Sequence, residues 1–281
     1  MGKLVQYFYL KNMLDKQSVT IIIPHLGGTH ASEHALDQCV NSLESSEPSI
    51  KRVIVANGEK CVTHMSDVWL SRQGQCGAVN AAVAMTNTPW IFITNDDMIF
   101  PLGWFDKLTT ETICKGSPCI SCKLIEPHPG APTFETYFCG GAGGDFDKQK
   151  FYEFAKNYVG SGVRTGFNFP LLISRDLWNT VGGYDINYDP WGSNSDSDLE
   201  YKIKLAGVQP LQNTDSIVYH FSQTSGTFTP EHHGHWNQNW QYFIDKWGFP
   251  RTDPGIWEAS FEIPTLAEGR IFAPGWEGKY K

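Results

Sequence analysis

No stretch of the sequence approaches about 18 consecutive apolar residues, so no membrane-spanning helix is expected. Cysteine is missing after Cys139, and the total of seven is odd. That pattern argues against a disulfide framework and fits a reducing compartment, with the cytoplasm the expected location. Glycine and proline, 27 and 16 of 281 residues, are too few for a low-complexity or collagen-like chain. Charge is sparse at 19% and leans acidic: 22 Lys and Arg against 30 Asp and Glu leave a net charge of −8. No stable nucleic-acid partner is expected from that balance, although a local basic groove stays open. Residues 1–16 carry charges at Lys3, Lys11, Asp15 and Lys16 and show no clean apolar core before a small-residue cleavage site, so no signal peptide is expected. What is present is a globular composition, 41% apolar. A chain of this length buries roughly three quarters of its unfolded surface without disulfide staples. No repeat or linker interrupts it, and one domain over residues 1–281 is expected. Aromatics reach 14%, with ten Trp, and serve core packing or a site for flat, sugar-like ligands equally well.

Residues 19–24 (VTIIIP) are a β-branched run ended by Pro24, which predicts a buried strand. Gly27 and Gly28 form a loop. Ser32 precedes a helical stretch over 33–43 whose apolar Ala35, Leu36, Cys39, Val40 and Leu43 share one face. Residues 51–56 predict a second buried strand, closed by a turn at Asn57-Gly58. Strand, helix, strand in this order implies a parallel crossover. A helix over 76–86 follows, then a strand over 90–94 that ends in Asn95-Asp96-Asp97. Farther on, the pattern predicts a helix over 104–114, strands over 118–124 and 133–138, and a flexible loop over 139–144. A strand over 168–173 leads to a helix over 175–181, capped by Ser174 and stopped by Gly182-Gly183. A helix over 196–206, a strand over 215–220 and a helix over 236–247 complete the reading. The order of elements predicts an α/β fold.

The candidate residues each have two readings when taken singly. Asp96 and Asp97 are adjacent carboxylates at a strand end, which repel unless a cation sits between them or one is protonated. Hard divalent cations take carboxylate and phosphate oxygens together, as in a nucleotide-diphosphate site. The alternative is a polar turn in which Asp96 caps a helix. His220, at a strand end, is either a metal ligand or an ordinary surface or core histidine. Asp196 and Asp198 occupy alternate positions of a helix start and do not share a face. One can act as a general base while the other meets a neighbour, or both can simply complement the helix dipole. Cys119 and Cys122 form a lone CxxC on a strand and read as buried thiols in preference to a zinc site. The glycines of 140–144 lack the context of a phosphate cradle and read as a mobile loop near the acceptor. Residues 231–235 (EHHGH) read as a polar lid in preference to a second metal cluster.

In chain order the sequence reads IIIP, VIVANG, RQGQCGAVNAAVA, WIFITNDDMIF, RTGFNFPLLISRDLWNTVGGYD, WGSNSDSDLEYKIKLAG and IVYHFSQTSG. This succession resembles the family 2 glycosyltransferases of the GT-A fold over about residues 18–226. The resemblance implies a Rossmann-like mixed sheet flanked by helices. A nucleotide-binding half is expected at 18–100, an acceptor-binding half at 101–225 and a C-terminal extension or lid at 226–281. Pro24 and His25 match the loop that meets base and ribose, and Asn57 stands where the family usually has an Asp that holds the base. Gly74 and Asn80 match residues beside the nucleotide, Arg72 comes within reach of a phosphate or the donor, and Asn95 falls at the ribose or donor sugar. Asp96 and Asp97 match the metal-binding Asp-x-Asp-type motif, with Asp97 the direct ligand, and His220 matches the histidine that completes the metal site. Ser195-Asp196-Ser197-Asp198-Leu199 matches the family's Glu-Asp-x-Asp-Leu pattern, whose second position, Asp196 here, is the catalytic base. Ser195 replaces an acidic neighbour, and losing that like charge leaves the base less basic. Asp198 is then structural, and Trp191 stacks on a sugar face.

The implied activity is inverting transfer of a sugar, of the hexosyltransferase type, from a nucleotide-diphosphate donor to an acceptor hydroxyl with Mn²⁺ or Mg²⁺. A UDP-sugar is the first expectation for the donor, although Asn57 in place of Asp leaves the base open. A glycan is the expected acceptor; a modified DNA base is the alternative that the acidic charge disfavours. Two other classes are an inactive sugar-nucleotide binding module and a GT-A nucleotidyltransferase. Asp97, His220 and Asp196 together argue against the first. The second calls for basic residues after the first strand, and residues 25–30 (HLGGTH) hold no Lys or Arg.

Overall fold

The apolar run after Ser18 forms the strand at the heart of the sheet, and all seven of its residues are buried. The computed structural model describes residues 14–57, 65–70, 74–129, 135–167, 169–222 and 230–247, without the side chains of 111–115 and 231–233. Ten strands are described: β1 (Val19–His25), β2 (Lys51–Asn57), β3 (Val68–Leu70), β4 (Trp90–Ile93), β5 (Met98–Ile99), β6 (Cys119–Glu126), β7 (Glu135–Thr136), β8 (Val163–Thr165), β9 (Leu171–Ser174) and β10 (Leu211–His220). They join one sheet in the order β3-β2-β1-β4-β9-β6-β10-β5, with β7 added to β6 and β8 to β10. The first four of that row run parallel, β9 runs antiparallel to both its neighbours, β6 and β10 are parallel, and β5 returns antiparallel to β10. The sheet is therefore mixed, as the resemblance implies.

The helices are α1 (His30–Ser46), α2 (Gln75–Ala84), α3 (Trp104–Lys115), α4 (Lys148–Asn157), α5 (Arg175–Val181), α6 (Ser195–Leu205) and α7 (Pro230–Trp247). The crossover β1-α1-β2 is parallel, as expected. α1 begins earlier than the sequence predicts. Thr29, not Ser32, is its N-cap, and the two close a capping box: Ser32 N donates to Thr29 Oγ1 at 3.0 Å and Thr29 N to Ser32 Oγ at 3.2 Å. Its buried face carries the five apolar residues anticipated. Ser174 caps α5 through the Leu177 N–H, and Gly182, at φ 75°, supplies its left-handed stop. α2 packs on β1 and β2, and α3 on β6 and β10. Trp104 of α3 fills the core between Phe92 and Phe100, 4.7 Å from each ring centroid.

α7 is docked by polar contacts as much as by burial of Phe243 and Trp247. Lys246 Nζ lies 2.7 Å from Asp185 Oδ2 and 2.6 Å from Asp198 Oδ1. Trp247 Nε1 donates to Asp198 Oδ1 at 3.0 Å, and Asn239 Nδ2 to the carbonyls of Tyr188 and Ser193 at 2.7 and 3.1 Å. The helix thereby pins residues 185–198, the segment that enters α6. The rest of the expected extension, residues 226–229 and 248–281, lies outside the described residues. No described helix is long and apolar enough to cross a membrane.

Candidate active site

Asp97 and His220 are 123 positions apart in the chain, and one strand pairing joins them. β5 begins at the residue after Asp97 and pairs Met98 with His220; Phe221 N then donates to the Asp97 carbonyl at 3.0 Å. The result places His220 Nε2 at 3.3 Å from Asp97 Oδ2. The other ring nitrogen, Nδ1, lies 2.8 Å from Oε1 of Glu126, the last residue of β6. Burial pushes the His220 imidazole toward neutrality, but the charges and hydrogen bonds of Asp97 and Glu126 outweigh it and raise its pKa to about 10. The ring thus stands between two carboxylates, and a cation at Nε2 would take the place of the proton that faces Asp97. Asp97 Oδ1 is buried and without a hydrogen-bond partner among the described residues. A buried carboxylate oxygen left this way is costly unless a cation meets it. Two protein ligands, one oxygen and one imidazole nitrogen, fit a divalent cation whose remaining positions fall to phosphate oxygens and water. Among the described residues no three His, Cys, Asp or Glu side chains form a complete cage.

Beside this pair opens a cleft of about 220 Å³, lined by Pro24, His25, Leu26, Asn57, Gln75, Asn95, Asp96, Asp97, Pro190 and Trp191. It lies beyond the C-terminal ends of the parallel strands β1, β2 and β4, where open α/β sheets place their ligands. Pro24, His25, Asn57, Asn95, Asp96, Asp97 and Trp191 were all singled out in the sequence. Leu26, Gln75 and Pro190 were not. The His25 ring is fully buried, and both its nitrogens face carboxylates. Nδ1 meets Asp96 Oδ2 at 2.5 Å and Nε2 approaches Glu33 Oε2 of α1 at 3.3 Å. Burial lowers the His25 pKa, and Asp96 and Glu33 more than restore it, so it ends above its ordinary value. Burial raises that of Asp96, against the pull of His25. His25 is therefore an anchor for Asp96. Asn95 Oδ1 accepts a hydrogen bond from Gln75 Nε2 at 3.4 Å.

The far wall is built on Asp189. Its carboxylate takes the N–H groups of Cys76 and Gly77 at 2.8 and 2.9 Å and so closes the N-terminus of α2, which has no side-chain cap of its own. Gly74, at φ 85°, makes room for it: a Cβ there would stand 2.2 Å from Asp189 Cγ. Two expectations change here. The resemblance sets Gly74 and Asn80 beside the nucleotide, yet neither lines the cleft. Gly74 packs on Asp189. Asn80 spends its amide on the Tyr184 backbone, donating to the carbonyl at 2.8 Å and accepting the N–H at 2.9 Å. Both act by holding the wall in place. Arg72 lies outside the described residues.

Asp196 stands half-buried on the first turn of α6 and accepts a hydrogen bond from the Tyr184 hydroxyl at 3.2 Å. Burial and the charge of Asp196 hold the Tyr184 hydroxyl protonated, well above the ordinary tyrosine range. Asp196 does not itself line the cleft, but its charge reaches Cys76, the neighbour of Gln75. Asp198 is fully buried and consumed by Lys246, Trp247, Tyr188 and Lys202. The remaining motifs are structural in form. Cys119 and Cys122 sit three apart on β6, so their side chains leave opposite faces of the sheet and cannot share a metal. Both are buried free thiols, and burial raises Cys122 to about 12. The Gly-rich loop is tied down where Tyr219 bonds the Cys139 N–H at 3.1 Å and the Gly140 carbonyl at 2.7 Å. Of residues 231–235, the side chains of 231–233 lie outside the described residues; His235 comes within 6.4 Å, ring to ring, of Trp191.

No family model and no curated sequence matches the chain. Solved structures do. The crystal structure of GalNAc-T7 with UDP, GalNAc and Mn²⁺ superposes with a TM-score of 0.52 at 13% identity, covering 72% of this chain and 43% of that one. The mannosyltransferase PcManGT from Pyrobaculum calidifontis, in complex with GDP-Man and Mn²⁺, gives 0.52 at 16% identity, covering 89% of this chain and 73% of that one. The chain spans less than half the length of the GalNAc-T7 chain. The likeness is one of fold: a mixed sheet flanked by helices, the architecture of GT-A glycosyltransferases.

Proposed function

We propose that this chain is a metal-dependent, inverting glycosyltransferase that moves a sugar from a nucleoside-diphosphate donor to an acceptor hydroxyl. The observation that carries the reading is the Asp97–His220 pair, with a buried, partnerless Asp97 oxygen, at the edge of a cleft beyond the parallel strands. The donor nucleotide lies in that cleft, along Pro24 and Asn57, with Asn95 and the anchored Asp96 toward ribose and diphosphate. Asp97 and His220 would hold Mn²⁺ or Mg²⁺, which offsets the charge that builds on the leaving diphosphate. Trp191 offers its ring to a sugar face on the opposite wall. Asp196 takes the proton of the acceptor hydroxyl as that oxygen attacks the anomeric carbon. The Tyr184 hydroxyl orients the carboxylate for this step. A base on the side away from the leaving group permits one displacement, hence inversion. The two structures named above were solved with a nucleoside diphosphate or a nucleotide sugar and Mn²⁺, which supports the donor class.

The test is a thermal-shift panel of UDP, GDP, dTDP and CDP with and without Mn²⁺. A nucleotide at 100 times its Kd adds about 2.7 kcal/mol of stability. That is a shift of several degrees, expected for one nucleotide and only with the metal. No shift with any of the four would overturn the reading.

A further inference from the structure

Glu126 closes β6 and is almost wholly buried, at 5% exposure. Its backbone carbonyl is fixed by the Tyr137 N–H at 3.0 Å. Its carboxylate has a single hydrogen-bond partner among the described residues, the Nδ1 of His220 at 2.8 Å. A carboxylate in such a place costs desolvation, and a buried charge pair is seldom more stable than apolar side chains of the same volume. Stability alone therefore gives little reason for it. Orientation gives a specific one. When a cation displaces the Nε2 proton, an Nδ1–H donated to Glu126 leaves the Nε2 lone pair on the side of Asp97 Oδ2, 3.3 Å away, and next to the partnerless Asp97 Oδ1. The sheet enforces the alignment: β6 and β10 pair Ile125 with Tyr219, so the next residue on each strand, Glu126 and His220, come together at the sheet's end.

Resting on the reading above, in which Asp97 and His220 hold a divalent cation, we infer that Glu126 is a positioning residue for that site. It fixes the ring orientation and tautomer of His220 and strengthens the imidazole as a ligand. Partners of this kind are worth about 10- to 100-fold in metal affinity.

The experiment is a Mn²⁺ titration of the full chain, followed by the electron paramagnetic resonance signal of free Mn²⁺. Electron spin-echo modulation then reports a bound imidazole nitrogen. Wild type, Glu126→Leu, Glu126→Gln and Asp97→Ala are compared, with circular dichroism to verify folding. Glu126→Leu is expected to bind about 10- to 100-fold more weakly and to lose the nitrogen modulation. Glu126→Gln keeps an acceptor oxygen of the same shape without the charge; several-fold weaker binding with the modulation retained is expected. Wild-type affinity and modulation in Glu126→Leu would overturn the assignment, and unchanged affinity in Glu126→Gln would do so even if the Leu variant did not fold. Asp97→Ala separates the two levels. If it binds Mn²⁺ as wild type does, the metal site itself is wrong and Glu126 loses its role with it. If it does not, the Glu126 variants report on Glu126 alone.

Discussion

Asp196 and Asp198 are two residues apart and chemically identical, and what surrounds them divides their tasks. Asp198 is fully buried against Lys246, Lys202 and the Trp247 indole. Replacing it by Asn leaves buried ammonium groups without their counter-charge, which costs about 3–5 kcal/mol. Urea unfolding of Asp198→Asn measures that loss directly. Asp196 accepts a hydrogen bond from the Tyr184 hydroxyl and stays half-exposed at the helix start. Asp196→Asn is expected to bind donor nucleotide as wild type does and to turn over at least about 10²-fold more slowly, read as release of nucleoside diphosphate. An unimpaired Asp196→Asn variant would place the base elsewhere. In the sequence, the spacing of the two shows only that they do not share a face; that Asp196 is the base and Asp198 structural is what the resemblance implies, through the motif position that Asp196 matches.

At the scale of elements, α7 matters most, since it holds the segment that carries Asp189, Trp191 and Asp196. Asp185 is one of its anchors. Burial raises the Asp185 pKa, but the Lys246 ammonium, the Asn187 N–H and the Tyr242 hydroxyl hold it below the ordinary carboxylate value of 3.8. The folded protein then binds that proton more weakly than the unfolded chain. The stabilisation is complete above the unfolded value and is lost as the pH falls through the folded one. The stability gap between wild type and Asp185→Asn should therefore be full at neutral pH and close as the pH drops below about 3.8. Thr29→Ala is expected to cost about 1 kcal/mol by removing the α1 cap. The elements with strong local signals were legible. α5, with Ser174 before it and Gly182 after it, matches its sequence reading end to end. Thr29 was passed over because Ser32, an equally good cap by type, lies closer to the apolar face. α4 was missed because it buries only Phe151 and Ala155. The strands β3, β5 and β8 have three, two and three residues, too short to show a period.

The whole molecule supplies what no local pattern can. Asp96 and Asp97 were readable at the end of β4, and Pro24, His25, Asn57, Asn95 and Trp191 were placed at the site by the resemblance, so seven of the ten lining residues were anticipated. Asp97 and His220 were singled out separately, but their contact depends on the two-residue strand β5 lying antiparallel to β10. Glu126 carried no motif and gains its place only through the register of β6 on β10. Asn80 and Gly74 were placed beside the nucleotide by resemblance, and in the fold they serve the 184–189 wall. The central claim is that a buried carboxylate–imidazole pair at the sheet's end gathers a metal and a nucleotide diphosphate. Calorimetric titration of wild type and Asp97→Ala with the responding nucleotide, each with and without Mn²⁺, tests it most directly. The account predicts Mn²⁺-dependent binding by wild type and none by Asp97→Ala. Equal, Mn²⁺-dependent affinity in the two proteins would contradict it.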